Sequence, residues 1–296
     1  MARVLIFANP TSGRGRAVAI VQKIAPPLRA EGFDVEVVQE HPARFDRQTT
    51  PDPIHAVIVI GGDGTLRAVI ERLTQIMAAD ALPPVLVIGL GTANLMQQHL
   101  RLRYSPETLA ADVCDLLRKP RITRVDAALA GEHLFLLMAS CGFDATVVHH
   151  LSAKRTGPIT KLSYLAPALA ALRDFSLPRL RVEVDGIVLC SDQPGMVFVG
   201  NVAEYGTGFP VLDRANSFDG LLDVCVMRCD SLPELAQLSM LTLVGQHHTA
   251  AGVHYVTGKN VAIEGTTAPV QVDGEAAGTT PVRIRLLEHG VPFIVR

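Results

Sequence analysis

The chain has 296 residues, enough for two domains of ordinary size or one large one, and a hydrophobic share of 48% that is ample for a core. A formal net charge of −2 excludes the global attraction to nucleic acid that a strongly basic chain would have. Five cysteines at scattered positions, 114, 141, 190, 225 and 229, form no CxxC pair, which suits reduced thiols in a cytosol and argues against a disulfide framework.

The amino-terminal apolar stretch is too short for a signal peptide and ends in Asn9-Pro10. No uninterrupted run reaches the roughly 18 apolar residues that a spanning helix needs. The expected location is therefore cytoplasmic, with any membrane contact peripheral.

Over the first 120 or so residues, strands and helices alternate. Residues 3–8 read as a strand, 17–30 as a helix closed by Gly32, and 33–39 as an alternating strand. Residues 56–60 form a buried strand, 66–77 a helix, 85–90 another buried strand, and a further helix opens near Ala93. Continuous apolar strands between helices predict a mainly parallel sheet covered by helices, with ligands at the carboxyl ends of its strands. Three glycine-bearing loops fall at such ends: 9–15, 61–65 and 89–94.

Beyond about residue 121, strand-like segments dominate: 124–130, 133–140, 179–185, 187–190, 196–201, 222–227, 260–264, 270–272 and 282–287. Turns such as Asp185-Gly186 and Asp273-Gly274 separate them. Two helices interrupt the pattern, near 161–173 and 232–247. The predicted organisation is an α/β domain over 1–122 and an antiparallel β-rich domain over 123–296, with the last strand a candidate to return to the first domain.

The central loop, Gly61-Gly62-Asp63-Gly64-Thr65, joins a buried strand to a helix. Glycines let backbone N–H groups approach a phosphate, and the helix start adds partial positive charge. An acid in such a loop would repel phosphate unless a cation lay between them. The first loop, Asn9-Pro10-Thr11-Ser12-Gly13-Arg14-Gly15, offers hydroxyls, glycines and a cation, but no G-x4-G-K-[ST] motif occurs in the chain. The third, Gly89-Leu90-Gly91-Thr92-Ala93-Asn94, offers Thr92 as a helix cap or a phosphate ligand. Read singly, each is also an ordinary turn. Val272-Asp273-Gly274-Glu275 reads equally as a hairpin turn, Asp219 and Asp223 as surface turn acids, and His149-His150 as surface residues, since neighbours in a helix or strand do not face one site.

Together these segments resemble the catalytic domain of the diacylglycerol kinase family, which includes sphingosine and ceramide kinases and bacterial lipid kinases. Asn9-Pro10-Thr11-Ser12-Gly13, Gly61–Thr65 and Gly91-Thr92-Ala93-Asn94 look like the family's nucleotide loops. Gly142-Phe143-Asp144-Ala145, Asp219-Gly220-Leu221-Leu222-Asp223-Val224 and Asp273-Gly274-Glu275 look like its later motifs. The central loop is shared with NAD kinases; the later segments make the likeness specific.

The resemblance implies an NAD kinase/diacylglycerol kinase-like fold with a β-sandwich second domain. It implies that Asn9, Pro10, Thr11, Ser12, Gly13, Arg14, Gly62, Asp63, Gly64, Thr65, Leu66, Arg67 and Thr92 surround ATP. Asp126 falls in the family's aspartate position, where it would help Asp63 hold Mg²⁺ through water. Lys161 matches a lysine beside these acids, and Glu275 the proton acceptor. Asn216, Asp219 and Leu221 resemble a second, structural Mg²⁺ site built from two carbonyls and a carboxylate, hard oxygen ligands that suit this ion.

Four departures concern nucleotide contacts and substrate preference. Arg67-Ala68 stand where the family often has Asn-Glu, Leu95 where it often has Asp, Arg14 where bacterial members often carry Lys, and Gln39-Glu40-His41 where a threonine is usual.

Between 154 and 181 the chain carries Lys154, Arg155, Lys161, Arg173, Arg179 and Arg181 among apolar residues, against the single acid Asp174. Such a segment suits an anionic membrane surface, or is an ordinary amphipathic helix on a sheet. The apolar segment 232–244 is either core or the lining of an acyl slot. The expected protein is a lipid kinase using ATP and Mg²⁺, peripherally associated with a membrane, with no nucleic-acid partner. Its β-rich edges could pair into a homodimer. The rival readings are a binding protein with little kinase activity and an NAD kinase-like enzyme, the latter lacking an Asn-Asn-Glu segment here.

Overall fold

The computed structural model describes residues 1–9, 15–46, 53–153, 176–204 and 208–296. The chain runs β1 (Arg3–Ala8), α1 (Arg16–Ala30), β2 (Asp34–Val38), β3 (Ile54–Gly61), α2 (Asp63–Ile76), β4 (Val85–Gly89), α3 (Leu95–His99), α4 (Leu109–Arg118) and β5 (Arg121–Val125). It continues with β6 (Ala128–Ala130), β7 (His133–Phe135), β8 (Met138–Cys141), α5 (Phe143–Ala153), β9 (Arg179–Val184), β10 (Ile187–Gly200), β11 (Leu222–Arg228) and α6 (Leu232–Leu243). The last elements are β12 (Val253–Gly258), β13 (Asn260–Gly265), β14 (Pro269–Val272), β15 (Glu275–Thr279), β16 (Val282–Leu286) and β17 (Val291–Val295). Residues Met1–Val125 with Glu288–Arg296 form one compact unit, and Asp126–Leu287 another.

The first unit is a six-stranded sheet in the order β2-β1-β3-β4-β17-β5. All its pairings are parallel except β17 with β5. Its central strands are apolar on both faces because both are covered. Val4, Ile6, Ile58, Ile60, Leu86 and Ile88 pack with Ile24 and Leu28 of α1 and Val113 and Leu117 of α4. Leu5, Phe7, Val57 and Val59 alternate with them and are equally buried. Each fully buried aliphatic side chain contributes about 1.5–3 kcal/mol. Helix α1 ends in a Schellman motif: the N–H of Phe33 reaches the carbonyl of Leu28, that of Gly32 reaches Arg29, and Gly32 sits at φ 87°.

The second unit is an antiparallel sheet system in which β10 pairs with β8, β9 and β11. Its core is dominated by buried residues of these strands and of β13 and β16, among them Val182, Val197, Val199, Val224, Ile263 and Ile284. The expected α/β first domain and antiparallel β-rich second domain are the architecture found.

Several local expectations need correction. Helix α2 begins at Asp63, three residues before the expected start, so the glycine turn is only Gly62 with Gly61 still in β3. The helix expected near Ala93 begins at Leu95. The strand expected over 124–130 breaks at Asp126 and Ala127, and that over 133–140 breaks at Leu136 and Leu137. The two strands expected over 187–201 are one strand, β10, with register shifts between Val188 and Gln193. Helices α4 and α5 and strands β12 and β15 were not expected. The helix expected near 161–173 lies outside the described residues.

Candidate active site

In the first unit, the second and third glycine loops are parts of one construction. Gly61 and Gly89 are register partners where β3 and β4 end, and the N–H of Leu90 donates to the carbonyl of Gly61 at 2.8 Å. A Cβ on Gly91 would lie 2.8 Å from the Cα of Gly62, so both backbones approach as closely as glycine alone allows. Asn94, at φ 50°, folds the third loop on itself: its Oδ1 accepts the N–H of Gly91 at 2.7 Å, and its Nδ2 donates to the Gly91 carbonyl at 3.0 Å.

Asp63 joins the two loops. Its carboxylate accepts the N–H groups of Leu95 at 3.0 Å and Met96 at 3.2 Å, capping α3 from another helix. Burial raises its pKa above the usual carboxylate value, and the backbone N–H bonds oppose that rise. The acid thus has a structural reason to be in the loop. Its two oxygens still retain lone pairs after these bonds.

The remaining candidates of this unit divide. Gly64 and Thr65 lie in the first turn of α2, whose leading N–H groups have no intrahelical acceptor and favour an anion. Leu66 buries its side chain in the core, and its N–H donates to the Gly62 carbonyl. Arg67 is largely buried and lies 3.5 Å from Glu71. Thr92 is exposed in the third loop, and Asn9 is exposed just beyond β1. Pro10, Thr11, Ser12, Gly13 and Arg14 lie outside the described residues, as does Lys161.

In the second unit, Asp126 is buried at the break between β5 and β6. Its N–H donates to Ser217 at 2.8 Å, and its carboxylate accepts the N–H of Gly220 at 2.9 Å. Asp126 is thereby brought against the loop that carries Asn216, Asp219 and Leu221. Burial raises the pKa of Asp126, and the nearby charge of Asp219 raises it further. Asp219 caps its own turn by accepting the N–H of Leu221 at 3.1 Å, and the Asn216 side chain accepts that of Phe218 at 3.2 Å. Asp223 is no surface acid: it is buried, accepts the Tyr255 hydroxyl at 2.9 Å, and has its pKa raised by burial.

Glu275 opens β15 after the two-residue turn Asp273-Gly274, both at positive φ, with Val272 and Glu275 as register partners. The turn is fixed by Asp273. Its carboxylate accepts three backbone N–H groups, from Leu136 at 2.9 Å, Leu137 at 3.0 Å and Met138 at 2.9 Å. The buried amide of Asn201 donates to the carbonyls of Asp126 at 2.9 Å and Leu136 at 3.2 Å. One polar network therefore braces Asp126 and the Glu275 hairpin through the 136–138 segment. Below it, Gln271 donates to the Ser140 hydroxyl at 2.7 Å, and Ser140 donates to Asp144 at the start of α5. His149, read as a surface residue, is instead tied by its ring to the Val270 carbonyl at 2.8 Å.

Asn94, Asn201 and Asp273 do the positioning here, and none was singled out from the sequence as a site residue. Asp273 and Asn94 lay inside quoted motifs; Asn201 carried no signal beyond being a polar residue at the end of an apolar strand. The five cysteines are buried thiols. Burial raises the pKa of each, to about 12 for Cys141 and Cys225, so they are poor nucleophiles.

Comparison with known proteins agrees with this fold. Residues 3–130 match the model of the diacylglycerol kinase catalytic domain, and residues 138–295 match that of the YegS C-terminal NAD kinase beta sandwich-like domain. A diacylglycerol kinase of Mycobacterium tuberculosis (strain H37Rv) is 28% identical over 288 residues, covering 95% of this chain and 91% of that relative. One of Staphylococcus carnosus is 24% identical, covering 97% and 93%. The crystal structure of a diacylglycerol kinase from Bacillus anthracis covers 100% of this chain and 97% of its own at a TM-score of 0.68 and 22% identity, a likeness of fold. Matched by the two domain models over nearly its whole length, the chain belongs to the diacylglycerol kinase catalytic-domain family, a family of lipid kinases.

Proposed function

We propose that this protein transfers the γ-phosphate of ATP to a hydroxyl of a lipid such as diacylglycerol, with Mg²⁺ as the required cation. The observation that carries the reading is the pair of glycine loops held together by Asp63 at the carboxyl ends of β3 and β4, beside the start of α2. Phosphoryl transfer asks the protein mainly for positioning and charge stabilisation. The N–H groups in the first turn of α2, which have no intrahelical acceptor, can meet a phosphate.

The residues present fit Mg²⁺. Burial raises the pKa of Asp126 and the charge of Asp219 adds to the rise, an unfavourable setting for two carboxylates that a cation relieves. The donor set of Asp219 with the Asn216 and Leu221 carbonyls is all oxygen. Asp219, Asn216 and Leu221 would hold a structural ion, and Asp63 would hold the ion of the nucleotide. That ion supplies charge neutralisation at the phosphates. Glu275 acts as acceptor for the proton of the lipid hydroxyl, and Asp273 and Asn201 hold it in place. Arg14 and Lys161, outside the described residues, cover phosphate charge.

Access to lipid is peripheral. Among the described residues no helix is long and apolar enough to cross a membrane. Helix α6 buries Leu235 and Leu238 but exposes Leu232 and Met240, as well as Leu243 and Val244 at its end. Those exposed side chains suit contact with a bilayer surface.

The test is transfer of label from γ-labelled ATP to a panel of lipids presented in vesicles with Mg²⁺. The reading expects one lipid class to be labelled and labelling to disappear in Asp63→Ala. Labelling of NAD with no lipid labelled would sink it, and tight Mg-ATP binding with no transfer would replace it with a nucleotide-binding role.

A further inference from the structure

Helix α6 ends in a second Schellman motif. The N–H of Gln246 reaches the Leu241 carbonyl at 2.8 Å, that of Gly245 reaches Thr242 at 3.0 Å, and Gly245 stands at φ 67°. The reversal drops the chain into a 3-10 turn, His247–Thr249, which places two successive histidines against the segment that ends at Asp213. On a regular helix or strand, adjacent residues point apart; in this tight turn they do not. One side-chain ligand atom from each of Asp213, His247 and His248 lies within 4.8 Å of the other two. His248 Nδ1 lies 3.7 Å from Asp213 Oδ2.

The hydrogen bonding of this cluster is incomplete among the described residues. His247 is fully buried, and its Nε2 lies 3.1 Å from the Val211 carbonyl. A carbonyl can only accept, so Nε2 carries the proton and Nδ1 presents its lone pair. Among the described residues, His247 Nδ1, His248 Nδ1 and Asp213 Oδ1 are all buried atoms without a hydrogen-bond partner. Three unpartnered buried polar atoms in one place are costly unless something binds them.

We propose that Asp213, His247 and His248 form a binding site for a divalent transition ion of the Zn²⁺ class, separate from the oxygen-ligand loop at 216–221. Imidazole with a carboxylate suits Zn²⁺ and its neighbours and does not suit Mg²⁺. An imidazole whose other nitrogen donates to a backbone carbonyl is the usual orientation of a metal-bound histidine. Tetrahedral ligands at about 2.0–2.1 Å from zinc lie about 3.3 Å apart, so the three side chains close by about an ångström on binding. The ion would fasten the end of α6 to the Val211–Asp213 segment, leaving a fourth position for water.

The test uses the full chain after chelator treatment, equilibrated with Zn²⁺ and, in parallel, Co²⁺. The expected result is one Zn²⁺ per folded chain, a higher Tm with Zn²⁺ than without, and a Co²⁺ spectrum lacking thiolate charge transfer. His248→Ala and Asp213→Asn should weaken Zn²⁺ binding by at least the 10–100-fold that loss of even an outer partner causes. Failure of the folded wild-type chain to take up Zn²⁺ stoichiometrically would overturn the proposal. So would a thiolate band with Co²⁺, which would place the ion on the cysteines, or unchanged binding in folded His248→Ala. His247→Ala is the less informative variant, because a fully buried ring is removed. The wild-type spectrum decides the question even where a variant fails to fold.

Discussion

The first unit fixes its glycine loops with Asp63, which accepts N–H groups from Leu95 and Met96; the second fixes its hairpin with Asp273, which accepts three, from Leu136, Leu137 and Met138. Both acids sit beside glycines in motifs that read as chemistry. Asp63 caps a short helix with both its oxygens and remains a plausible ligand. Asp273 has its two oxygens spread over three donors and fixes the turn that precedes Glu275. An acid in a motif that reads as chemistry therefore needs its backbone partners counted before it is given a chemical role.

Asp273→Ala should give the largest effect. It leaves three N–H groups unpaired at the 136–138 segment and should cost about 3–5 kcal/mol, read by denaturant unfolding. Activity should fall with it, because Glu275 loses its support. Asp63→Ala removes two acceptors and should cost about 1–3 kcal/mol. If the two substitutions destabilise equally, the contrast drawn between the two acids fails.

Gly91→Ala sharpens the comparison from the other side. The new Cβ meets the Gly62 backbone at 2.8 Å, so the loops must part. ATP affinity should drop at least tenfold while Tm changes little, since no core side chain moves. Unchanged affinity would mean that the close approach of the loops is incidental.

Asp126→Asn is expected to stabilise. It removes a buried charge that faces Asp219 yet keeps an oxygen for the Gly220 N–H. Tm should rise by a few degrees at pH 7.5 while transfer falls, the usual opposition of stability and function at a site. The sign follows from linkage. Asp63 and Asp126 have folded pKa values above the ordinary 3.8, so both contribute stabilisation that is complete below that value and is lost as pH rises through their folded values. In Asp126→Asn this loss with rising pH should be shallower. The smallest effect expected is on membrane contact: Met240→Lys with Val244→Lys should lower co-sedimentation with neutral vesicles without altering Tm.

Much of the fold was legible because it rests on local patterns. The apolar runs of β1, β3 and β4 and the turn residues around them mark the first sheet, and the motif at 61–65 marks the site. What stayed hidden depends on distant partners. The hairpin turn at Asp273-Gly274 is visible in two residues, but the donors that make Asp273 structural lie more than 130 residues earlier. Asp223 looks like a turn acid until β12 brings Tyr255 against it. Helix α5 was missed because apolar residues surround it rather than forming a stripe. The two histidine pairs make the same point. His149-His150 lies on a regular helix and does not share a site, whereas the Schellman turn after α6 aims His247 and His248 together.

The most direct measurement compares wild type with Glu275→Gln in both Mg-ATP binding and phosphate transfer to the accepted lipid. Unchanged ATP affinity with kcat lowered by about 10²–10⁴ is predicted, the range for loss of a general base. Transfer at the wild-type rate in a folded Glu275→Gln protein would contradict the account.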